Sequence, residues 1–145
     1  MKDTPFEIER TFNAPVEKVW EAITDKEKMK EWYFSLEEFE PEVGFEFEFY
    51  GGTEEKQYLH VCKVLEVKEN KKLKYSWRYE GYPGESFLTF ELSTDDNGTK
   101  LKLAHEGLDS FPADKDPNFS KKSFSEGWNY IIGTSLPKYL ARLKE

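Results

Sequence analysis

The sequence predicts an α+β fold with an antiparallel sheet of about six to seven strands, two short helices after the first strand, and one long C-terminal helix. Three observations carry this prediction. Phe6 to Phe12 alternates apolar and polar residues, then a helical pattern begins at Pro15. Between Phe45 and His105 the apolar residues recur at every second position, broken by turn signals. From about Phe119 to Lys144 the apolar spacing changes to that of a helix.

In the first segment Phe6, Ile8 and Phe12 share a strand face, and Arg10 breaks it, which places Arg10 near a sheet end. Pro15 fits the first position of a helix, where the missing N–H costs nothing. Val16, Val19, Trp20 and Ile23 follow at i, i+3, i+4, i+7. Thr24 and Glu27 have the spacing of a capping box that would restart the chain as a second short helix, anchored by Met29 and Trp32.

From Leu36 onward the chain reads as strands. Phe45, Phe47 and Phe49 alternate with Glu46 and Glu48 up to Gly51-Gly52. Tyr58 to Val67 is a longer strand whose apolar parity slips near Leu65, the signature of a bulge. Leu73, Tyr75, Trp77 and Tyr79 occupy one face of the next strand, and Leu88, Phe90 and Leu92 one face of the strand after Gly81-Tyr-Pro-Gly84. Asp95-Asp-Asn-Gly98 is a hairpin signal leading to Leu101, Leu103 and His105. Strands one turn apart form an antiparallel meander. A loop from Gly107 to Asn118 precedes the final helix, whose stripe is Phe124, Trp128, Ile131, Ile132, Leu136, Tyr139, Leu140 and Leu143. Pro137 lies inside that stripe, and its ring presses on the carbonyl of Gly133, so a bend is expected there.

The 145 residues fit one domain, 1–145, able to bury a core without staples. A net charge of −8 repels phosphate backbones and anionic lipid heads, so nucleic-acid and membrane partners are not expected. The single cysteine, Cys62, rules out an intrachain disulfide and a multi-cysteine metal site. Neither an apolar signal region nor a spanning stretch appears, which makes the cytoplasm the expected compartment.

The order of these elements is similar to that of the helix-grip superfamily, also called START-like or SRPBCC. Ala14-Pro-Val-Glu-Lys-Val-Trp-Glu-Ala-Ile-Thr-Asp25 resembles the family's first helix, and Trp32 stands where a tryptophan closes the second. Val64-Leu-Glu-Val67 with Leu73-Lys-Tyr-Ser-Trp77 resembles the middle hairpin. Phe87-Leu-Thr-Phe-Glu-Leu92 and Thr99-Lys-Leu-Lys-Leu-Ala-His-Glu-Gly107 resemble the last two strands, and Gly127-Trp128 the core of the long helix. Within the superfamily the chain looks like the branch named for the C-terminal domain of the activator of the heat-shock-protein-ninety ATPase. The eukaryotic activators carry a further N-terminal domain that contributes chaperone binding, and none is expected in this sequence.

The resemblance implies a helix-grip fold, in which a curved antiparallel sheet wraps the long C-terminal helix and leaves a cavity between them. Aromatic residues make up 17% of the chain, so rings would line it. The aromatic set is Trp32, Tyr33, Phe34, Phe47, Tyr75, Trp77, Phe90, Phe124, Trp128 and Tyr139. The ligand-binding candidates are Trp32, Phe34, Phe47, Tyr75, Trp77, Phe90, His105, Phe124, Trp128 and Ile132. Plain core is the competing reading of the same rings. The first expected function is binding of an apolar or amphipathic small molecule, gated by the long helix and the segment around Trp32 to Phe34. The second is a protein-interaction module with a chaperone-activator-like role. The third is an enzyme on a hydrophobic substrate, since relatives of the fold include cyclases, aromatases and hydrolases. The chain would act as a monomer or homodimer.

No residue is assigned a catalytic role, and neither a metal nor a cofactor is expected. His105 shares a face with Leu101 and Leu103, so it could meet a ligand or shuttle a proton, but a hydrogen-bonded core or rim histidine is the favoured reading. Glu106 points to the other face. His60 and Cys62 share a strand face, and with a third ligand they would suit a metal, but a small buried cysteine beside a polar histidine is favoured. No G-x-S-x-G elbow, phosphate loop or G-x-G-x-x-G occurs.

Overall fold

The computed structural model describes residues 5–33, 36, 38–52, 57–95, 98–112, 116 and 119–142. Strands β1 (Phe6–Phe12), β2 (Glu46–Gly52), β3 (Gln57–Lys68), β4 (Lys72–Tyr79), β5 (Ser86–Asp95) and β6 (Gly98–Glu106) build a six-stranded sheet in the order β1-β6-β5-β4-β3-β2. Every pairing is antiparallel. The first strand thus closes the meander by lying beside the last, which leaves β1 and β2 as the edges. The apolar face of the sheet is covered by α1 (Val16–Thr24) over β5 and β6, and by the C-terminal helical segment over β1.

The period-two pattern translates directly into burial. Leu73, Tyr75, Trp77 and Tyr79 all point inward from β4, as do Leu88, Phe90 and Leu92 from β5 and Leu101, Leu103 and His105 from β6. The parity slip near Leu65 is a bulge: the β3–β4 register shifts between Val64 and Glu66, leaving Leu65 exposed. Asp95 and Gly98 pair across the β5–β6 turn, whose tip lies outside the described residues.

Four local expectations need correction. First, residues 38–45 are not a strand. Pro41 and the positive φ of Gly44 (94°) interrupt the alternation, and β2 begins only at Glu46. Leu36 and Phe39 still bury their side chains, the latter edge-on to Phe47 at 5.0 Å. Second, the cap of α2 (Lys26–Trp32) is Asp25, whose Oδ1 accepts from the Glu27 N–H at 2.9 Å. The Thr24 hydroxyl turns back into α1 instead, donating to the Trp20 carbonyl at 2.7 Å. Third, Pro15 is the N-cap of α1 rather than its first helical residue. Fourth, the long helix is divided into α3 (Lys121–Tyr130), a π turn (Ile131–Ser135) and α4 (Leu136–Arg142). Leu136 N–H reaches back to the Ile131 carbonyl, a span of one extra residue. This widening absorbs Pro137, which has no N–H to give and crowds the carbonyl of Gly133.

Gly133 has a second consequence. Arg10 lies on the inward parity of β1, opposite Leu101, yet it is exposed. Its guanidinium passes Gly133, and a Cβ placed there would meet it at 3.8 Å. The edge position of β1 and the small residue on the π turn together let this charge leave the core.

Candidate functional site

About half of the buried apolar side chains are rings, and between the sheet and the helical segment they form two groups joined by Trp77. The first group surrounds Tyr33, the residue that ends α2. Its ring lies against Trp32 (5.0 Å), parallel to Trp128 (6.1 Å, 19°), tilted on Phe49 (6.4 Å) and edge-on to Phe90 (6.5 Å). Its hydroxyl lies 2.7 Å from the hydroxyl of Tyr75, which is fully buried. Burial pushes both phenols well above the ordinary value of 10.0, so both are neutral at physiological pH. The second group surrounds Phe119, which meets Tyr58 (5.2 Å), Tyr79 (4.8 Å), Tyr82 (5.0 Å) and Phe111 (5.8 Å). Tyr58 donates to Asp116 Oδ2 at 2.6 Å, which fastens the segment after β6 over the end of the sheet.

Trp77 touches both groups, with Trp128 at 5.7 Å and its indole N–H on the Tyr79 hydroxyl at 2.9 Å. Below it runs a polar chain. Trp128 donates its indole N–H to His105 Nδ1 at 3.0 Å. An indole is a donor only, so Nδ1 is the accepting nitrogen and Nε2 carries the proton. Nε2 therefore donates to Ser86 Oγ at 2.8 Å, and Ser86 donates to the Trp77 carbonyl at 3.0 Å. Both His105 nitrogens are engaged, and the imidazole is neutral: burial lowers its pKa to about 3. This tautomer cannot take a proton from Ser86, so the buried Ser86–His105 pair is not an activated nucleophile.

The sequence-selected residues fall as follows. Trp32, Tyr75, Phe90 and Trp128 converge around Tyr33. Phe47 extends this wall, edge-on to Tyr75 at 5.1 Å. Trp77 and His105 form the divide, and Phe124 lies edge-on to His105 at 5.3 Å and stacked on Phe111 at 5.8 Å. Ile132 is buried on the π turn. Tyr139 sits apart on α4, under the Arg142 guanidinium at 5.8 Å. Phe34 lies outside the described residues. The candidate set omits Tyr33 itself, Phe49 and Ser86. Phe49 could have been selected by its alternation with Phe47, whereas the Tyr33–Tyr75 bond joins residues 42 apart and leaves no periodic trace.

His60 and Cys62 share the inward face of β3, as expected. His60 is stacked on Phe49 at 4.5 Å and edge-on to Trp77 at 4.9 Å, and its Nδ1 donates to the Tyr58 carbonyl at 3.0 Å. Burial lowers its pKa to about 4 and pushes the Cys62 thiol up. Among the described residues no three His, Cys, Asp or Glu side chains gather around a common point. On the outer face of the sheet Lys68, Lys71, Lys72, Lys100 and Lys102 surround an open groove together with Glu9 and Glu91. No helix among the described residues is long and apolar enough to cross a membrane.

Comparison with known proteins places this architecture. The family model described as "Activator of Hsp90 ATPase homolog 1-like protein" matches residues 13–141. The chain belongs to this family. A curated relative, the Hsp90 co-chaperone AHA1 of Saccharomyces cerevisiae, is 26% identical over 113 residues, covering 72% of this chain and 31% of the relative. The chain thus matches about a third of that co-chaperone's length. Among solved structures, protein MLL2253 of Mesorhizobium loti has a TM-score of 0.80 at 27% identity, covering 96% of this chain and 98% of that one. DynU16, a protein of the dynemicin biosynthetic locus, has a TM-score of 0.77 at 22% identity, covering 97% of this chain and 48% of that one. These neighbours establish the helix-grip fold: α+β, with an antiparallel six-stranded sheet and a C-terminal helical segment.

Proposed function

We propose that the chain binds an apolar or amphipathic small molecule between the sheet and the C-terminal helical segment. The observation that carries this reading is the hydroxyl pair of Tyr33 and Tyr75, set 2.7 Å apart inside a wall of rings. Binding sites for such molecules combine apolar walls with a few polar groups that orient the ligand. Here the polar groups are neutral, as an uncharged ligand requires. The test is native mass spectrometry of the purified protein against the denatured protein, with organic extraction of whatever is released. A discrete added mass that vanishes on denaturation supports the reading. A clean mass, with no shift in melting temperature across a panel of neutral aromatic and aliphatic compounds, rejects it.

A second reading is a chaperone-activator-like interaction. The family membership and the similarity to the yeast co-chaperone support it. Its test is the ATPase rate of purified Hsp90 with and without this chain. An unchanged rate, with no complex detected by sedimentation, removes it. An enzymatic role has weaker support, because His105, one of two inward-facing histidines, has both nitrogens committed to Trp128 and Ser86, and the other, His60, has its Nδ1 held by the Tyr58 carbonyl.

A further inference from the structure

We propose that Tyr33 is a resident stand-in for the ligand, and that the ligand is a neutral, flat aromatic molecule whose hydroxyl or carbonyl oxygen replaces the Tyr33 hydroxyl on Tyr75. This rests on the small-molecule reading above and narrows it to a chemical class.

The first ground is how Tyr33 is attached. Phe49, Tyr75 and Phe90 stand on strands and Trp128 on α3, so their rings are held by regular hydrogen-bonded backbone. Tyr33 belongs to no strand and follows the last residue of α2. Its backbone has left the helical range, with φ −123° and ψ −142°, and its N–H is tied to the Met29 carbonyl at 2.6 Å. The preceding residue is pinned from two sides. The Trp32 indole donates to the Ala22 carbonyl at 2.8 Å, and the Trp32 carbonyl accepts from Ser135 Oγ at 2.7 Å. Rotation just beyond this anchor swings the phenol out while α2, the sheet and the π turn keep their bonds. Tyr33 is also half-buried whereas Tyr75 is fully buried, so the phenol enters the interior from the surface.

The second ground is the shape left when the phenol leaves. Trp128 offers a parallel face, Phe90 an edge, and Phe49 and Trp32 tilted faces, all with centroids between 5.0 and 6.5 Å of the departing ring. These are the arrangements aromatic rings adopt with one another, and they favour a planar guest over a flexible chain. At the inner end waits the Tyr75 hydroxyl. A pure hydrocarbon would leave it unpartnered in an apolar site, which is unfavourable. A carboxylate would lose its hydration against five uncharged side chains, and none of the described ring neighbours of Tyr33 carries a cation to offset the loss. A phenol, naphthol or quinone-like carbonyl satisfies both the rings and the hydroxyl.

The third ground is that a binding site needs room. In the structure the rings on either side of Tyr33 already meet one another through it. Removing the Tyr33 phenol opens a slot one ring wide that ends at the Tyr75 hydroxyl, so a guest whose oxygen takes that end, any further ring reaching back toward the surface, competes with Tyr33.

The probe is 2-naphthol, titrated by fluorescence and calorimetry into the full chain. If Tyr33 competes for the slot, Tyr33→Ala removes the competitor and binds the probe about tenfold tighter than the native chain or better. In that variant 2-naphthol is preferred to naphthalene, and adding Tyr75→Phe abolishes the preference. In the native chain at saturation, nuclear Overhauser contacts between the Tyr33 and Trp128 rings disappear. Tyr33→Phe keeps the ring but drops its bond to Tyr75, so it binds more tightly than the native chain by a smaller factor; it serves if the alanine variant does not fold. A folded Tyr33→Ala that binds the probe no tighter than the native chain overturns the proposal, since Tyr33 is then a wall. An aliphatic or charged molecule as the native adduct overturns it too, yet leaves the broader small-molecule reading intact. Loss of any adduct together with silence toward every probe removes both.

Discussion

The indole N–H of Trp128 on α3 donates to Nδ1 of His105 on β6, and this 3.0 Å bond sets the tautomer of the whole buried chain through Ser86 to the Trp77 carbonyl. Trp128→Phe keeps a ring but removes the donor, and leaves a fully buried imidazole nitrogen unsatisfied. An unsatisfied buried group costs roughly 1–3 kcal/mol, beyond the packing lost with the smaller ring. Equilibrium urea unfolding of the variant should show a lower midpoint at an unchanged slope. A loss below a few tenths of a kcal/mol would mean that the bond contributes nothing net.

His60 and His105 make stability depend on acid. Both are buried neutral, with pKa values lowered to about 4 and about 3 from an ordinary 6.5. Because the folded values lie below the unfolded one, the unfolded chain takes up protons first. Stability is therefore complete above pH 6.5 and is lost as pH falls toward the folded values. Between about pH 6 and pH 4.5 each histidine contributes a slope approaching 1.4 kcal/mol per pH unit. Thermal unfolding across this range should show the fall, and His60→Phe, which preserves the stack on Phe49, should remove about half of it. An identical slope in the variant would place the acid sensitivity elsewhere.

How much of this was readable in advance depends on the range of the interactions. The inward faces of β4, β5 and β6 and the bulge after Val64 follow from parity, a local property of the chain. The cap of α2 is ambiguous in the sequence because Thr24 and Asp25 are both capping residues, and two local bonds decide between them: Thr24 turns back to the Trp20 carbonyl, and Asp25 accepts from the Glu27 N–H. Pro137 revealed that the last helix could not run straight, but not that the relief would be one inserted residue. The site is the least legible part. Tyr33 with Tyr75, and His105 with Ser86 and Trp128, are pairings between distant segments that no periodicity encodes.

Two glycines should respond oppositely to alanine. Gly133 lies in the π turn without a positive φ, and a Cβ there meets Arg10 at 3.8 Å, an ordinary contact. Gly133→Ala should stabilise by about 0.4–1 kcal/mol, by restricting the unfolded chain. Gly98 has φ +136°, and a Cβ there would stand 2.2 Å from the Phe12 carbonyl oxygen, which cannot move without breaking the β1–β6 edge. Gly98→Ala should therefore lower the melting temperature markedly. Calorimetry of the two variants side by side provides the comparison, and a stabilised Gly98→Ala would contradict the described turn geometry.

Alkali tests the phenol cluster and the lone thiol together. Burial raises the pKa of Tyr33, Tyr75 and Tyr79 above 10.0 and that of Cys62 above 9.0. For such acids the folded value exceeds the unfolded one. The stability they contribute is thus fully present below pH 9 and is lost as pH rises, because only the unfolded chain releases the protons. Two measurements should move together. Absorbance at the phenolate band should show these three tyrosines ionising only as the fold is lost. Cys62 should react with a thiol reagent at the rate of unfolding, since the thiolate does not form in its apolar site. If Cys62 is modified rapidly at pH 8 while circular dichroism stays native, the β3–β4 face opens without unfolding, and the rigid wall behind Tyr75 is not the right description.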